Sequence, residues 1–564
     1  MRRLCLGLSL VFILACGNTS QASTVKLPNQ VAVASAHPLA TDAGIHILQQ
    51  GGNAFDAAIA VAAVLGVVEP YSAGMGGGGF WLLRQGKSGK TVMVDARETA
   101  PSAAFEDLYL DPNGQVDRDK AINSALSAGI PGQAAAMEHL AKHYGKLNLS
   151  QSLKAAIDYA ENGFPANPVY LKLLDIRKSV MSRYPHSKRI FMLDGKPIKE
   201  GQLIKQKELA ATLRAIAKQG AAGFYSGPVA KSMVNEVRAN GGIWRLQDLA
   251  NYKVIEREPI KFNYHNATIW SAAPPSSGGV ALAQMFGMLS NFNLALYNPV
   301  DHTHLLAEVM RRAYRDRALY LGDPDFVSIP LERILKPSYL ENLSSSISLS
   351  HATPSKDLGP SQQVGSGTHT THFSIIDKQG NMVAATLSIN LPFGSGVTLG
   401  ETGILLNNEM DDFSAQPGSP NAYGLIGSEA NAIAPGKRPL SSMTPTFMEY
   451  GPENNRQTAI IGTPGGSRII TMVFLGLLEA LADKKPQAWV DRPRFHHQYF
   501  PDQISFEPEA LSPEMEKGLQ EKGHVLKMMG RRYGDMHAIR WYRKNGTVEA
   551  GADQRRLGSA TVAD

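Results

Sequence analysis

Gly367-Thr368-His369-Thr370-Thr371-His372-Phe373-Ser374-Ile375-Ile376-Asp377 is the stretch on which the fold turns. It follows a loose Ser/Pro/Gln/Gly run from about His351 to Gly367 and opens an alternating pattern. Side chains of a strand alternate with period two, so Phe373 and Ile375 face one side and His372, Ser374 and Ile376 the other. Lys378-Gln379-Gly380-Asn381 reads as a turn, and Met382 to Asn390 as the returning strand. A linker that runs into a hairpin beginning with threonine suggests a particular chemistry. Cutting the chain before Thr370 frees an α-amine beside a hydroxyl on one residue, a nucleophile together with its base.

Three further blocks follow in order: Asn407-Asn408-Glu409-Met410-Asp411-Asp412-Phe413, Pro439-Leu440-Ser441-Ser442-Met443 and Thr463-Pro464-Gly465-Gly466-Ser467. Together with Thr370-Thr371-His372-Phe373, their order and spacing resemble the γ-glutamyltranspeptidases, which are N-terminal-nucleophile hydrolases. The likeness runs from about Val31 to the C-terminal end. It implies an α+β fold, a four-layer α/β/β/α sandwich shared by two self-cleaved subunits. The pattern of elements alone says α+β or α/β.

The chain of 564 residues can bury a large core, and 43% hydrophobic with 19% charged residues describes a globular protein. Its net charge of +6 is spread without a run of five or six Lys/Arg, which argues against a nucleic-acid partner. Arg2-Arg3, an apolar run from Leu4 to Ala15 and Ser20-Gln21-Ala22 form a signal peptide over residues 1–22. The run is too short to span a bilayer as a helix. Ile13-Leu14-Ala15-Cys16-Gly17 also resembles a lipoprotein box, though Leu14 fits it poorly. Export with cleavage after Ala22, into the periplasm or medium, is the first expectation, and a lipid anchor at Cys16 the second. Cys5 and Cys16 are the two cysteines. A mature chain would have no disulfide, thiol nucleophile or cysteine metal site.

Helical spacing runs from His37 to Gln50, with Gly51-Gly52 as a stop. Asn53 is a candidate N-cap for a helix apolar on all sides that ends before Pro70. Gly74-Met75-Gly76-Gly77-Gly78-Gly79 reads as a tight, backbone-dense turn, since no Gly-Lys-Ser/Thr follows to make a phosphate loop. A strand from Thr91 to Asp95 then delivers Arg97 and Glu98. Residues 100 to 350 read as mostly helical and poor in chemistry. After 370 strands dominate, apart from one apolar helix from Ser467 to Ala482. The products 23–369 (large subunit) and 370–564 (small catalytic subunit) would share one core as a heterodimer.

Thr370 is the candidate nucleophile twice over. Its hydroxyl would first attack the carbonyl of His369, at the cleavage site. The freed amine, with an ordinary pKa of about 7.7–8.0, would then serve as base. Read without the other blocks, it is equally a strand threonine. Thr371 and His372 read as support. Gly465 and Gly466, between a strand and a helix, could offer backbone N–H groups to an oxyanion. The resemblance implies that Arg97, Ser441 and Ser442 hold a donor's α-carboxylate, and Glu409, Asp412 and Asn390 its α-amine. Ser388 stands where the family more often has threonine. As bare sequence Glu409 and Asp412 could be solvated acids or a glycosidase-like pair, and Arg97-Glu98 a surface ion pair. Pro417 to Ala430, including Tyr423, resembles a lid loop but would equally suit an idle surface loop. Adjacent His496 and His497 face opposite ways on a strand, so neither is assigned to a metal. No cofactor is implied.

The reading is a γ-glutamyltransferase and glutathione hydrolase. Its partners would be glutathione and other γ-glutamyl compounds, amino acid or peptide acceptors, and water. A cephalosporin-type acylase or poly-γ-glutamate depolymerase is the rival within the superfamily, and a non-catalytic exported binding protein the rival outside it.

Overall fold

The computed structural model describes residues 25–359, 370–416, 421–425 and 427–564. The leader with Cys16, His369 and positions 417–420 and 426 of the expected lid lie outside the described residues.

Two antiparallel sheets lie face to face. The first is built from β1 (Val31–Ser35), β2 (Gly78–Arg84), β3 (Thr91–Ala96), β4 (Ile255–Arg257), β7 (Thr371–Ile376), β8 (Met382–Ser388) and β13 (Ser559–Ala563), in the order β13-β1-β7-β8-β2-β3-β4. The second contains β5 (Ile260–Tyr264), β6 (Ala267–Ser271), β9 (Thr446–Tyr450), β10 (Gln457–Gly462), β11 (His537–Tyr542) and β12 (Val548–Ala552), in the order β12-β11-β10-β9-β6-β5. Both faces of the first sheet are buried. Val33, Trp81, Leu83, Phe373 and Ile375 pack outward against helices, while Ala34, Phe80, Leu82 and Ile376 pack toward the second sheet. This is the alternation expected for Phe373, Ile375 and Ile376.

Helices α1 (Pro38–Gln49) and α2 (Ala54–Val68) cover the first sheet, with α3 (Leu149–Asn162) packed on α2; α4 (Gly278–Leu289) and α6 (Ile469–Leu481) cover the second, with α5 (Pro299–Tyr320) packed on α4. The result is the four-layer α/β/β/α sandwich. Asn53 caps α2 as expected: its Oδ1 accepts from the N–H groups of Phe55 and Asp56, and Asp56 returns a bond to Asn53 N. Asp377, in the turn after β7, accepts from Ala54 N at 2.9 Å and fixes α2 against the central hairpin.

The glycine run before β2 is the dense turn its composition suggests. A Cβ at Gly77 would lie 2.1 Å from the Ser388 carbonyl oxygen, and one at Gly76 equally close to that of Leu405. Backbone therefore packs directly behind the end of β8.

One expectation is met and one needs correction. The region from 100 to 350 is mostly helical, and it also holds β4, β5 and β6, the last two completing the second sheet. The alternation of Ile260, Phe262 and Tyr264 with Lys261 and Asn263 carried that signal over only five residues. After residue 370, two short helices, Pro486–Asp491 and Pro513–Glu521, accompany α6. The second buries only Leu519, too narrow a stripe to read as a helix face.

Candidate active site

Thr370 is the residue before β7 and is 3% exposed. The antiparallel register pairs Thr371 with Leu387, so the next step sets Ser388 across from Thr370. β8 then carries the chain to Asn390, at φ +69°. Arg97 follows the end of β3, beside β2. The loop before Phe413 contributes Glu409 and Asp412, and the loop after Pro439 contributes Ser441 and Ser442. All of them line one pocket of about 310 Å³, together with Tyr423 and Gly466. Gly465 is not part of the lining: a Cβ there would meet Met472 Cε at 2.3 Å. Its φ is +151° and that of Gly466 is +58°, so the turn from β10 toward α6 demands glycine at both positions.

Arg97 is neither on the surface nor paired mainly with its neighbour. Its Nη1 donates to Glu409 at 2.6 Å, its Nη2 to Asp412 at 2.5 Å and its Nε to the Pro439 carbonyl at 3.1 Å. Glu98 lies 3.6 Å away and is fully buried. Burial, reinforced by the charge of Glu409, drives the Glu98 carboxyl well above the usual range. Burial also lifts Glu409 to about 7 and raises Asp412, with Arg97 pulling both back. The acids are thus buried partners of one guanidinium and not the solvated loop acids that bare sequence allowed.

Of the pocket-lining acceptors, Glu409 Oε2 and Asn390 Oδ1 are buried without a hydrogen-bond partner among the described residues, and so are both carboxylate oxygens of Glu98 beside Arg97. Buried acceptors are ordinarily satisfied, and an orphan costs about 1–3 kcal/mol. Asn390 is oriented by its own Nδ2, which donates to the Asn408 carbonyl at 2.8 Å. Ser388 Oγ accepts from Asn390 N at 2.7 Å. Its hydroxyl therefore braces the turn that presents Asn390.

Tyr423, from the expected lid, is buried at the pocket wall and donates through its hydroxyl to the Asn390 carbonyl at 2.9 Å. Asn421 holds this piece by accepting from the N–H groups of Tyr423 and Leu425, while its Nδ2 donates to Asp412. Thr371 and His372 stay out of the pocket lining. His372 is fully buried, bonded to Thr386 Oγ1 at 2.8 Å and to Ser374 Oγ at 3.2 Å, and burial keeps it neutral.

One charged member of the pocket was missed by sequence reasoning. Arg317, on α5, lines it from the half expected to lack chemistry. Ser467, Leu425, Leu440, Met443 and Ile469 complete the wall. Arg317 lies three residues after buried Tyr314 and four after buried Ala313, so its place on the inward stripe of α5 was the available signal.

Elsewhere, His304, Glu308 and His524 bring ligand-type atoms within 4.8 Å of one another. Glu308 is already bound by Arg311 and Arg312, whose charges oppose a cation there. His496 and His497 have separate partners, Thr471 and Gln498 for the first and Asp502 for the second.

The family model described as gamma-glutamyltranspeptidase matches residues 40–563. The chain is 41% identical over 499 residues to the glutathione hydrolase proenzyme of Escherichia coli, covering 88% of this chain and 85% of that one. A cephalosporin acylase from Bacillus halodurans superposes with a TM-score of 0.82 at 26% identity, over 98% of this chain and 99% of that one. A gamma-glutamyltranspeptidase of Helicobacter pylori superposes with a TM-score of 0.57 at 39% identity, over 60% of this chain and 95% of that one.

Proposed function

The chain belongs to the γ-glutamyltranspeptidase family of enzymes, with the N-terminal-nucleophile hydrolase fold, and on that premise we propose that it transfers γ-glutamyl groups from glutathione and related donors to water or an acceptor amine. The observation that carries this reading is the pair of orphan acceptors, Glu409 Oε2 and Asn390 Oδ1, beside Asp412. An ammonium brings three donors and a positive charge, which is what these oxygens lack. On the same pocket, Ser441, Ser442 and Arg97 supply donors for an α-carboxylate.

In this reading the exported chain, freed of residues 1–22, cuts itself before Thr370. The Thr370 hydroxyl attacks the His369 carbonyl carbon, the C–N bond breaks, and the nitrogen becomes the α-amine of Thr370. Water opens the resulting ester and releases the hydroxyl. In the mature enzyme the α-amine takes the hydroxyl proton as Oγ attacks the donor's γ-carbonyl carbon. The N–H at Gly466 receives the oxyanion. The leaving amine departs with the proton, and Thr370 holds a γ-glutamyl ester. Water or an acceptor amine then attacks, giving glutamate or a new γ-glutamyl amide and restoring Thr370. Residues 23–369 and 370–564 remain together as a heterodimer.

The test is product analysis with glutathione, with and without a dipeptide acceptor, alongside a denaturing gel. Two fragments, free glutamate and an acceptor adduct are expected. One uncut chain without turnover would favour a binding protein. An acylase would release glutaryl groups as readily as γ-glutamyl groups, although Glu409 and Asn390 would then face no ammonium. Mass spectrometry of both N-termini distinguishes cleavage after Ala22 from lipid attachment at Cys16.

A further inference from the structure

His496 and His497 run into a glutamine whose amide joins two walls of the pocket. Gln498 follows the short strand Phe495–His496 and is buried. Its Nε2 faces the carbonyl oxygens of Tyr423 and Gly424, both at 3.3 Å, and of Phe500 at 3.1 Å. Its Oε1 lies 2.7 Å from Ser467 Oγ and 2.8 Å from His496 Nε2. Carbonyl oxygens only accept, so the amide has one orientation, with its NH₂ toward Tyr423 and Gly424 and its oxygen toward Ser467.

That orientation assigns the two histidines. Since Oε1 accepts, His496 carries its proton on Nε2, and its Nδ1 faces Thr471 Oγ1 at 2.8 Å as an acceptor. Burial holds this ring well below its ordinary range, and hence neutral, as the pattern needs. His497 Nδ1 accepts from Tyr499 N at 3.2 Å, which leaves its Nε2–H for Asp502 at 3.2 Å. One ring aims the amide of Gln498, and the other pins the loop that carries it.

The walls so joined serve opposite ends of one substrate. Ser467 follows Gly466, the residue whose N–H receives the oxyanion, and the Ser467 carbonyl is held by Tyr314 Oη. Tyr423 donates through its hydroxyl to the Asn390 carbonyl at 2.9 Å, and Asn390 Oδ1 is an acceptor left for the donor's amine. Gln498 thus completes a chain of hydrogen bonds across the pocket, from Ser467 through Gln498 and Tyr423 to Asn390. Protein bonds thereby fix the span between the group that holds the amine and the group that holds the reacting carbonyl. In a γ-glutamyl donor two methylenes bridge that span, and in a β-aspartyl donor only one.

We propose that Gln498 is a positioning residue that sets the chain length of the donor: by tying the Gly466 turn to the wall that carries Tyr423 and Asn390, it favours γ-glutamyl over β-aspartyl groups. This rests on the γ-glutamyl reading. It is tested by comparing a γ-glutamyl anilide with the β-aspartyl anilide, on protein that a denaturing gel has shown to be cleaved. A missing methylene is worth roughly 10- to 200-fold in kcat/KM, so the wild type should prefer the longer donor by a factor in that range. Gln498→Met keeps the side chain's length and loses its hydrogen bonds. It should shrink the preference by at least about fivefold, chiefly through a lower kcat on the γ-glutamyl donor. A variant that merely folds less well would lose active enzyme and so cut both donors equally. Should Gln498→Met not fold, Ser467→Ala carries the test, because it removes only the bond between the oxyanion turn and Gln498. It should move the preference in the same direction. Equal losses on both donors, or an unchanged preference, would overturn the proposal and leave Gln498 a packing residue. A wild-type enzyme inactive on every γ-glutamyl donor would instead bring down the underlying reading, and the proposal with it.

Discussion

Arg97 and Asp412 stand 315 positions apart in the chain, on either side of Thr370, and are joined by a 2.5 Å ion pair inside the pocket. The pair ties the end of β3 to the loop that follows the central hairpin. Arg97 is shared between Asp412 and Glu409, and Glu409 Oε2 is left without a hydrogen-bond partner among the described residues.

Asp412→Asn should therefore weaken γ-glutamyl recognition without preventing self-cleavage, which involves no ammonium. Losing one member of a desolvated charge pair costs about 2–5 kcal/mol. Kinetics on the processed variant should show a kcat/KM lower by a corresponding factor for γ-glutamyl donors. Discrimination against glutaryl analogues, which lack the amine, should shrink as well.

Thr370→Ala should give one full-length chain on a denaturing gel and no γ-glutamyl release. Fragments with a new N-terminus at residue 370 in that variant would show that another group makes the cut.

Gly466→Val should lower kcat more than it raises KM in material already shown to be cleaved. Gly466 has φ +58°, which a β-branched residue adopts only under strain. Any shift of its N–H away from the oxyanion should cost about 10²–10³ in rate. Unchanged turnover would remove Gly466 from the site.

The pH profile of kcat/KM should carry a limb near 7 that belongs to Glu409. Burial lifts this carboxyl to about 7, and only its ionised form attracts an ammonium. As pH rises through 7, Glu409 loses its proton and donor capture should increase. The profile reports the free enzyme. Glu409→Gln should erase that limb, leaving only the rise from the Thr370 amine. A profile identical to wild type would assign the limb elsewhere.

Much of this was legible in the sequence because it depends on local rules. The alternation after Thr371, the Asn53 cap and the glycines around β2 each follow from backbone geometry within a few residues. The clustering of Arg97 with Glu409, Asp412 and the serines was reached by family likeness, since no local pattern brings positions 97 and 412 together. Arg317 escaped for a physical reason. α5 also carries Arg311, Arg312, Arg315 and Asp316, and a helix so rich in charge ordinarily has a solvated face. Here most of those charges are buried and bonded to other elements, an arrangement that helical spacing does not encode.

The strand order has a consequence for how such a molecule can be made. In the first sheet β7 and β8 sit between β1 and β2, so strands from after residue 370 are flanked on both sides by strands from before it, and β13 in turn lies outside β1. In the second sheet β9 pairs with β6 across the same divide. Either piece made alone would present unpaired ladder edges and lack the strands that close them. If the chain cuts itself before Thr370 as proposed, topology would set an order of events, assembly first and scission afterwards. The intact precursor would then be its own template, with a one-to-one stoichiometry that two separately synthesised polypeptides would have to reach by diffusion.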